Sequence, residues 1–299
     1  MSAIDSSLRI GLIGYGEVGK TLSQALARQG LAWVGTWDVL LGDPAEGAAM
    51  SAHARQAGVE ACGSAAALLE RSGIVVSAVT AANSFAAAEQ AASAIRPGTY
   101  FLDLNSASPA TKKRSAALID AASAHYVDAG VMTSVPPHGI RVPMVIGGKR
   151  AAELAARLAP LGFSMEVVSA EIGVASAIKM CRSVIIKGFE AMVIESYATA
   201  RGYGVEDRVL ASLKETFPGI DWEKQGAYFF ARVAKHGRRR AEEMREAAVT
   251  VREAGFEPWI AGATAQKQDW VAALARTGLF RDVTGADWRE YADRLLGER

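Results

Sequence analysis

Gly14, Gly16 and Gly19 stand in a Gly14-Tyr15-Gly16-Glu17-Val18-Gly19 turn, directly after an apolar run at 8–13 and directly before a helical repeat of Val18, Leu22, Ala25 and Leu26. A glycine turn between a strand and a helix is the context in which G-x-G-x-x-G predicts dinucleotide binding. Gly14 permits the tight turn, Gly16 lets the backbone approach a pyrophosphate, and Gly19 lets helix and strand pack closely. The helix start at Glu17 and Val18 offers N–H groups and a positive dipole end to that anion. The competing reading is a glycine-rich turn of some other α/β protein, and the strand–turn–helix context weighs against it. Asp38, closing LAWVGTWD, falls where a ribose-binding acid is expected, roughly 20 residues past the turn. A carboxylate there accepts from a ribose 2′-OH and repels a 2′-phosphate. No arginine lies between Trp37 and Asp43, so NAD is favoured over NADP. The plainer alternative for Asp38 is a loop cap.

A second group is Lys179, Arg182 and Ser183, at i, i+3 and i+4 and therefore on one helix face. A lysine partly buried beside another cation loses its proton nearer to working pH and can act as an acid or base. Arg182 and Lys187 could supply that cation. Periodicity taken alone favours a solvated face with snorkelling stems.

The elements that must position these residues divide the chain in two. Strand patterns at 8–13, 31–36, 74–79, 100–104, 126–131, 143–146 and 163–168 alternate with helical patterns at 45–57, 85–95, 110–124 and 151–161. That alternation predicts a parallel sheet. Val79 and Thr80, at the end of the third strand, are expected to line the cofactor side. Strand signals stop near residue 170. One long helix is predicted at 172–200, followed by helices at 206–216, 222–235, 238–254, 262–277 and 287–296, separated by glycine and proline breakers that include Gly237. The predicted fold class is thus α/β, a Rossmann-type doubly wound parallel sheet over 1–170, followed by an all-α C-terminal domain over 171–299.

Composition narrows the partners. Half of the 299 residues are apolar and the net charge is +1. Lys+Arg and Asp+Glu are 13 and 13 through Ala170, and 20 and 19 beyond it. No basic face is implied, so a nucleic-acid partner is not expected. No apolar stretch is long enough to span a membrane. The opening MSAIDSSLR lacks signal-peptide features. Cys62 and Cys181 read as free thiols of a cytoplasmic protein. His53, His125, His138 and His236 show no metal spacing and read as surface or loop residues.

The segment from Gly173 to Met192, GVASAIKMCRSVIIKGFEAM, resembles the β-hydroxyacid dehydrogenase family, which includes 3-hydroxyisobutyrate and 6-phosphogluconate dehydrogenases. The order of parts matches along nearly the whole chain. The resemblance implies that Lys179 is the acid/base, with Ser183 where the family usually has Asn. It also implies that Asn105 and Ser106, in FLDLNSASPATKK, lie in the substrate and nicotinamide loop. VDAGVMTSVPPHG resembles the loop that grips the substrate carboxylate, but Met132-Thr133-Ser134 replaces Ser-Gly-Gly, which puts the usual short hydroxyacids in doubt. Thr133 and Ser134 can still donate hydrogen bonds. Decarboxylating members carry a glutamate seven residues after the lysine, where this chain has Ile186. Glu190 lies about 16 Å along the helix axis from Lys179. KMCRSVIIKGFEAM and HGRRRAEEM resemble a less characterised branch whose C-terminal domain has no assigned function.

The expected activity is therefore hydride transfer between NAD and the hydroxyl or carbonyl carbon of a small, carboxylated substrate, with Arg182 as an anion partner. Arg240, the inner member of Arg238-Arg239-Arg240, is a further candidate. The alternative for that run is a solvated helix start balanced by Glu242, Glu243 and Glu246. A homodimer through the helical domain is expected. Two other readings remain: a decarboxylating sugar-acid dehydrogenase and a catalytically silent NAD-binding sensor.

Overall fold

A computed structural model describes residues 5–297. The first four residues of the segment read for targeting features lie outside them. The chain forms two compact units, one running to Met180 and one beginning at Cys181.

The first unit is an eight-stranded sheet covered by helices on both faces. In chain order it contains β1 (Arg9–Ile13), α1 (Glu17–Ala27), β2 (Trp33–Trp37), α2 (Gly47–Gln56), β3 (Glu60–Ala61), α3 (Ala65–Arg71), β4 (Ile74–Ser77), α4 (Ser84–Ala92), β5 (Tyr100–Asp103), α5 (Pro109–Ala121), β6 (His125–Val131), β7 (Pro143–Gly147), α6 (Ala151–Leu158) and β8 (Ser164–Ser169). The strand order is β3-β2-β1-β4-β5-β6-β7-β8. Strand residues alternate between the two faces. Ile10, Leu12, Val76 and Leu102 meet Leu22 and Leu26 of α1, Met50 of α2 and Leu154 of α6. Ile13, Val75, Phe101 and Tyr126 meet Leu68 of α3, Ala88 of α4 and Ile119 of α5. Burial on both faces is why these strands read as continuous apolar runs. Fully burying each such Leu or Ile contributes roughly 1.5–3 kcal/mol.

Two expectations are corrected here. The sheet is not wholly parallel: β7 runs antiparallel to β6. Only a loop with one 3-10 turn, Gly139–Arg141, joins those two strands, and a parallel return needs a longer crossover. The short β3 also lies outside the expected strand list, while the alanine run at 64–67, a dense helix former in the sequence, opens α3.

The second unit is helical. Helix α7 (Val174–Tyr203) crosses into it and is followed by α8 (Glu206–Thr216), α9 (Trp222–Glu253), α10 (Trp259–Arg276) and α11 (Trp288–Gly297). The break expected at Gly237 does not exist, and α9 is one helix of 32 residues. A Cβ on Gly237 would lie 2.7 Å from the carbonyl oxygen of Gln268 and 3.0 Å from Cβ of Ala272. The glycine therefore serves the close crossing of α10, not a turn. The unit's core gathers Tyr197, Phe229, Phe230, Val233, Trp288 and Tyr291. Among the described residues, no helix is long and apolar enough to cross a membrane.

Candidate functional site

The glycine turn has the geometry its three roles require. Gly14 sits at φ +94°, and a Cβ on it would overlap the carbonyl of Ala78. A Cβ on Gly19 would overlap the carbonyl oxygen of Gly14, so only glycine lets α1 start this close to β1. Gly16 is exposed, and a Cβ there would meet nothing within 4 Å. It is the N-cap of α1 and makes no side-chain capping bond. The turn thus presents bare backbone and a helix start to open space beside Glu17 and Val18. That is a cradle for a phosphate group, and a nicotinamide dinucleotide fits it.

Asp38 lies at the exit of β2 and holds the turn from the side. Its Oδ2 accepts from the N–H of Tyr15 at 2.6 Å, and its Oδ1 accepts from the N–H of Leu40 at 2.9 Å. It caps the 3-10 turn Val39–Gly42, so the loop-cap role is real. The half-buried carboxylate retains further lone pairs, so the cap does not preclude ribose binding. Tyr15 points inward and its hydroxyl meets Nδ1 of His53 at 3.0 Å. Burial pushes the Tyr15 phenol up. His53, expected as a surface or loop residue, instead ties α2 to the turn, and its Nε2 meets Gln24 at 3.3 Å.

Asn105 is corrected in role. It is buried, its Oδ1 accepts from the N–H of Val79 at 2.7 Å, and its Nδ2 donates to Ser77 Oγ at 2.9 Å. The amide staples the end of β4 to the turn after β5, so it shapes the Val79 loop instead of reaching out to a substrate. Thr80 is exposed and accepts from Asn83 at 3.0 Å. Ser106 is half-buried beside Asn105.

Lys179 stands in the second turn of α7, half-buried, against the end of β6. A Cβ on Gly130 would lie 3.1 Å from Cβ of Lys179 and 2.9 Å from the carbonyl oxygen of Ala175. The loop bearing Met132, Thr133 and Ser134 leaves β6 at the next residues, with Thr133 exposed and Ser134 half-buried. The start of α7 is capped by a distant group. Asp128 Oδ2 accepts from the N–H of Gly173 at 3.2 Å and of Ser176 at 3.1 Å. Asp128 belongs to a fully buried charge cluster. Lys112 Nζ stands 3.4 Å from Asp128 Oδ1 and 3.1 Å from Asp103 Oδ1. The Tyr126 hydroxyl donates to Asp103 Oδ2 at 2.5 Å. Burial, and then the charges of Asp103 and Asp128, hold the Tyr126 phenol well above its ordinary range. Sequence reasoning missed Asp103, Lys112 and Asp128 altogether. The available signal was an acid inside each of two apolar strands, FLD and YVDAGV.

In the second unit Arg182 is exposed and Ser183 is buried. Lys187, expected to act as a cation beside Lys179, is buried, donates to Ser183 Oγ at 3.1 Å and pairs with Glu243 at 2.9 Å. Arg240 is corrected too. It is buried and donates through Nε and Nη2 to Glu190 Oε2, the former at 3.0 Å. Breaking a buried pair leaves an uncompensated charge, so this guanidinium is not free for a substrate anion. Cys62 and Cys181 are free thiols, and burial pushes Cys62 up to about 11.

Comparison with known proteins supplies a context for this geometry. Residues 9–159 match the family model described as the NAD binding domain of 6-phosphogluconate dehydrogenase. Residues 200–271 match a model described as a domain of unknown function, DUF1932. An uncharacterised 28.5 kDa protein of Methanothermus fervidus is 31% identical over 209 residues, 70% of this chain and 77% of that protein. The crystal structure of a conserved hypothetical protein from Sinorhizobium meliloti is 34% identical, covers 99% of this chain and 98% of its own, and has a TM-score of 0.77. The conserved protein MTH1747, described as structurally similar to 3-hydroxyacid dehydrogenases, is 32% identical over 90% of this chain and 98% of its own, with a TM-score of 0.69.

Proposed function

The chain belongs to the family defined by the NAD-binding domain of 6-phosphogluconate dehydrogenase, a family of NAD(P)-dependent oxidoreductases, and from that premise we propose that it moves a hydride to or from the hydroxyl-bearing carbon of a small carboxylated substrate, with Lys179 as the acid/base. The observation that carries this reading is the placement of Lys179. The first turns of α7 hold it against Gly130 at the exit of β6, two residues before the Met132–Thr133–Ser134 loop.

A nicotinamide dinucleotide, when bound, would supply or accept the hydride. Gly14, Gly16 and the start of α1 would hold its pyrophosphate, while Asp38 would accept from its ribose and so favour NAD. Lys179 Nζ takes the hydroxyl proton during oxidation and returns one to the carbonyl oxygen during reduction. Hydroxyls of Ser106, Thr133 and Ser134 orient the substrate, while Ser183, buried and bonded to Lys187, takes no part. Arg182, exposed on the same stripe of α7, attracts its carboxylate. Arg240 and Asn105 have no part in substrate binding. Decarboxylation is disfavoured by Ile186 at the family's glutamate position and by the engagement of Glu190 with Arg240.

Lys179→Met tests the reading. The side chain keeps its bulk and helix propensity but cannot carry a proton. Turnover is expected to fall by about 10²–10⁴-fold with NADH affinity nearly intact. A folded variant that keeps more than about a tenth of the rate overturns the assignment. A turnover screen over hydroxyacids that finds no reaction in the wild type would support the silent sensor instead.

A further inference from the structure

Beyond the identity of the acid/base lies the question of what holds it in place. We propose that Asp128 and Gly130 of β6, with Lys112 as counter-charge, form a positioning device that sets where Lys179 stands. The inference rests on the reading of Lys179 as the acid/base.

Asp128 and Gly130 are two residues apart on one strand, so both face the same side of the sheet. That side receives the start of α7. Asp128 does not cap its own element. Its Oδ2 reaches the N–H groups of Gly173 and Ser176, residues 45 and 48 positions away. A carboxylate at that point satisfies donors that a helix start leaves open and lies at the positive end of the dipole. Ser176 precedes Lys179 by three residues, so the anchored turn and the lysine share one face, about 4.5 Å apart along the axis. Gly130 completes the constraint from the strand side. Any side chain there would press on the Ala175 carbonyl oxygen at 2.9 Å and on Lys179 Cβ at 3.1 Å. The root of Lys179 is thus fixed along the helix by Asp128 and across it by the missing side chain at Gly130.

The charge arrangement shows that the anchor is not an incidental cap. Asp103, Lys112 and Asp128 are all fully buried, two carboxylates against one ammonium. Asp103 has its own donors: the N–H of Asn105 at 2.9 Å, the Tyr126 hydroxyl and Lys112. Among the described residues, Asp128 Oδ1 has no hydrogen-bond partner, and it faces Lys112 at 3.4 Å. The remaining compensation for Asp128 therefore comes from the start of α7. A buried carboxylate whose donors lie on one particular helix is stable only while that helix stays in place. The cluster also ties Lys179 to the cofactor side, because Asp103 orients Asn105, and Asn105 holds the N–H of Val79.

The test uses Gly130→Ala, Asp128→Asn and Asp128→Ala in the full chain, beside Lys179→Met. Each is read by kcat, substrate KM, NADH Kd and amide hydrogen exchange without cofactor. Gly130→Ala is expected to lower kcat about 10-fold or more, with NADH Kd changed less than about 2-fold. A misplacement of this size at a reacting group costs rate and not cofactor affinity. Asp128→Ala is expected to speed exchange at Gly173–Ala177 by more than about 10-fold while leaving α1 unchanged. Asp128→Asn, which keeps an acceptor, should restore part of both exchange protection and kcat. If Asp128 variants do not fold, Gly130→Ala decides alone. A folded Gly130→Ala enzyme with kcat within about 3-fold of wild type, beside a dead Lys179→Met, overturns the positioning device. An active Lys179→Met overturns the underlying reading instead, so the two failures are distinct.

Discussion

Asp38 carries two duties that pull in different directions. Its carboxylate already accepts from Tyr15 and Leu40, so removing it loosens the glycine turn as well as the ribose site. We expect wild-type protein to bind NADH more tightly than NADPH by roughly 2–4 kcal/mol, since two hydrogen bonds to a charged acceptor are at stake. Asp38→Asn removes the charge that repels a 2′-phosphate but keeps only one of the two acceptors, so it should narrow that preference and lose one of the two bonds that hold the turn. Asp38→Ala should weaken both cofactors. Fluorescence titration measures each case, and equal wild-type affinities for the two cofactors would sink the NAD assignment. Arg182 is the second residue to test. Its exposure makes Arg182→Met a benign change for folding, and the variant should raise the KM of an anionic substrate strongly while leaving NADH binding unchanged. A best substrate that is a neutral alcohol, indifferent to Arg182→Met, would move the chemistry away from hydroxyacids. The glycine turn was legible in the sequence because its strand, its three glycines and its helix follow one another directly along the chain. Asp128 was not, because its meaning depends on donors 45 and 48 residues away. Arg240 misled for the same reason. Its partner Glu190 lies 50 residues back, and a helix-face argument sees only the near-buried position.

At the scale of elements, Gly237 shows how a local rule loses to a tertiary one. Glycine inside a helix is costly by about 1 kcal/mol relative to alanine, which is why a break was expected there. In the structure the gain comes from the closeness of α9 and α10. Gly237→Ala is therefore expected to destabilise the helical unit by about 1–3 kcal/mol, because the added methyl meets backbone at Gln268 that cannot swing aside. Gly262→Ala is the matched control. It lies in α10 with nothing within 4 Å of a new Cβ, and should gain up to about 1 kcal/mol. Thermal unfolding of the pair measures the contrast, and a stabilised Gly237→Ala would contradict the crossing argument. The other helices of this unit were legible because their breakers do end helices. Gly204, for instance, sits at φ +66° between α7 and α8.

For the whole molecule, acid tolerance and assembly follow from the second unit. Arg201 binds Glu206 and Asp293, and Arg289 binds Glu223 and Asp207, which fastens α11 to α7, α8 and α9. Hydrogen bonding from Arg201 holds the Glu206 carboxyl below its ordinary range, and Arg289 does the same for Glu223. A carboxylate with a depressed folded-state value adds stability above its unfolded value, near ~4.3, and loses it as pH falls through the folded value. The melting temperature should therefore hold near neutrality and drop below about pH 4, and Glu223→Gln should flatten that acid limb. An unchanged acid limb would remove these pairs from the account. The same unit exposes Ile185, Met192, Trp259 and Ile260, with Trp259 at 79%. We expect these faces to be covered in a homodimer. Light scattering that finds a monomer at working concentration would refute this.

The sheet itself has two unlike ends. One closes with β3, two residues long, and the other with β8, six residues long and paired, among the described residues, to β7 alone. A strand of that length, open along one side, is a template onto which any extended chain can add. Val167 is 44% exposed on it, and Glu166 beside it is the one charge in SMEVVS. A charge on an open edge opposes such addition, and Glu166 is the residue of β8 that supplies one.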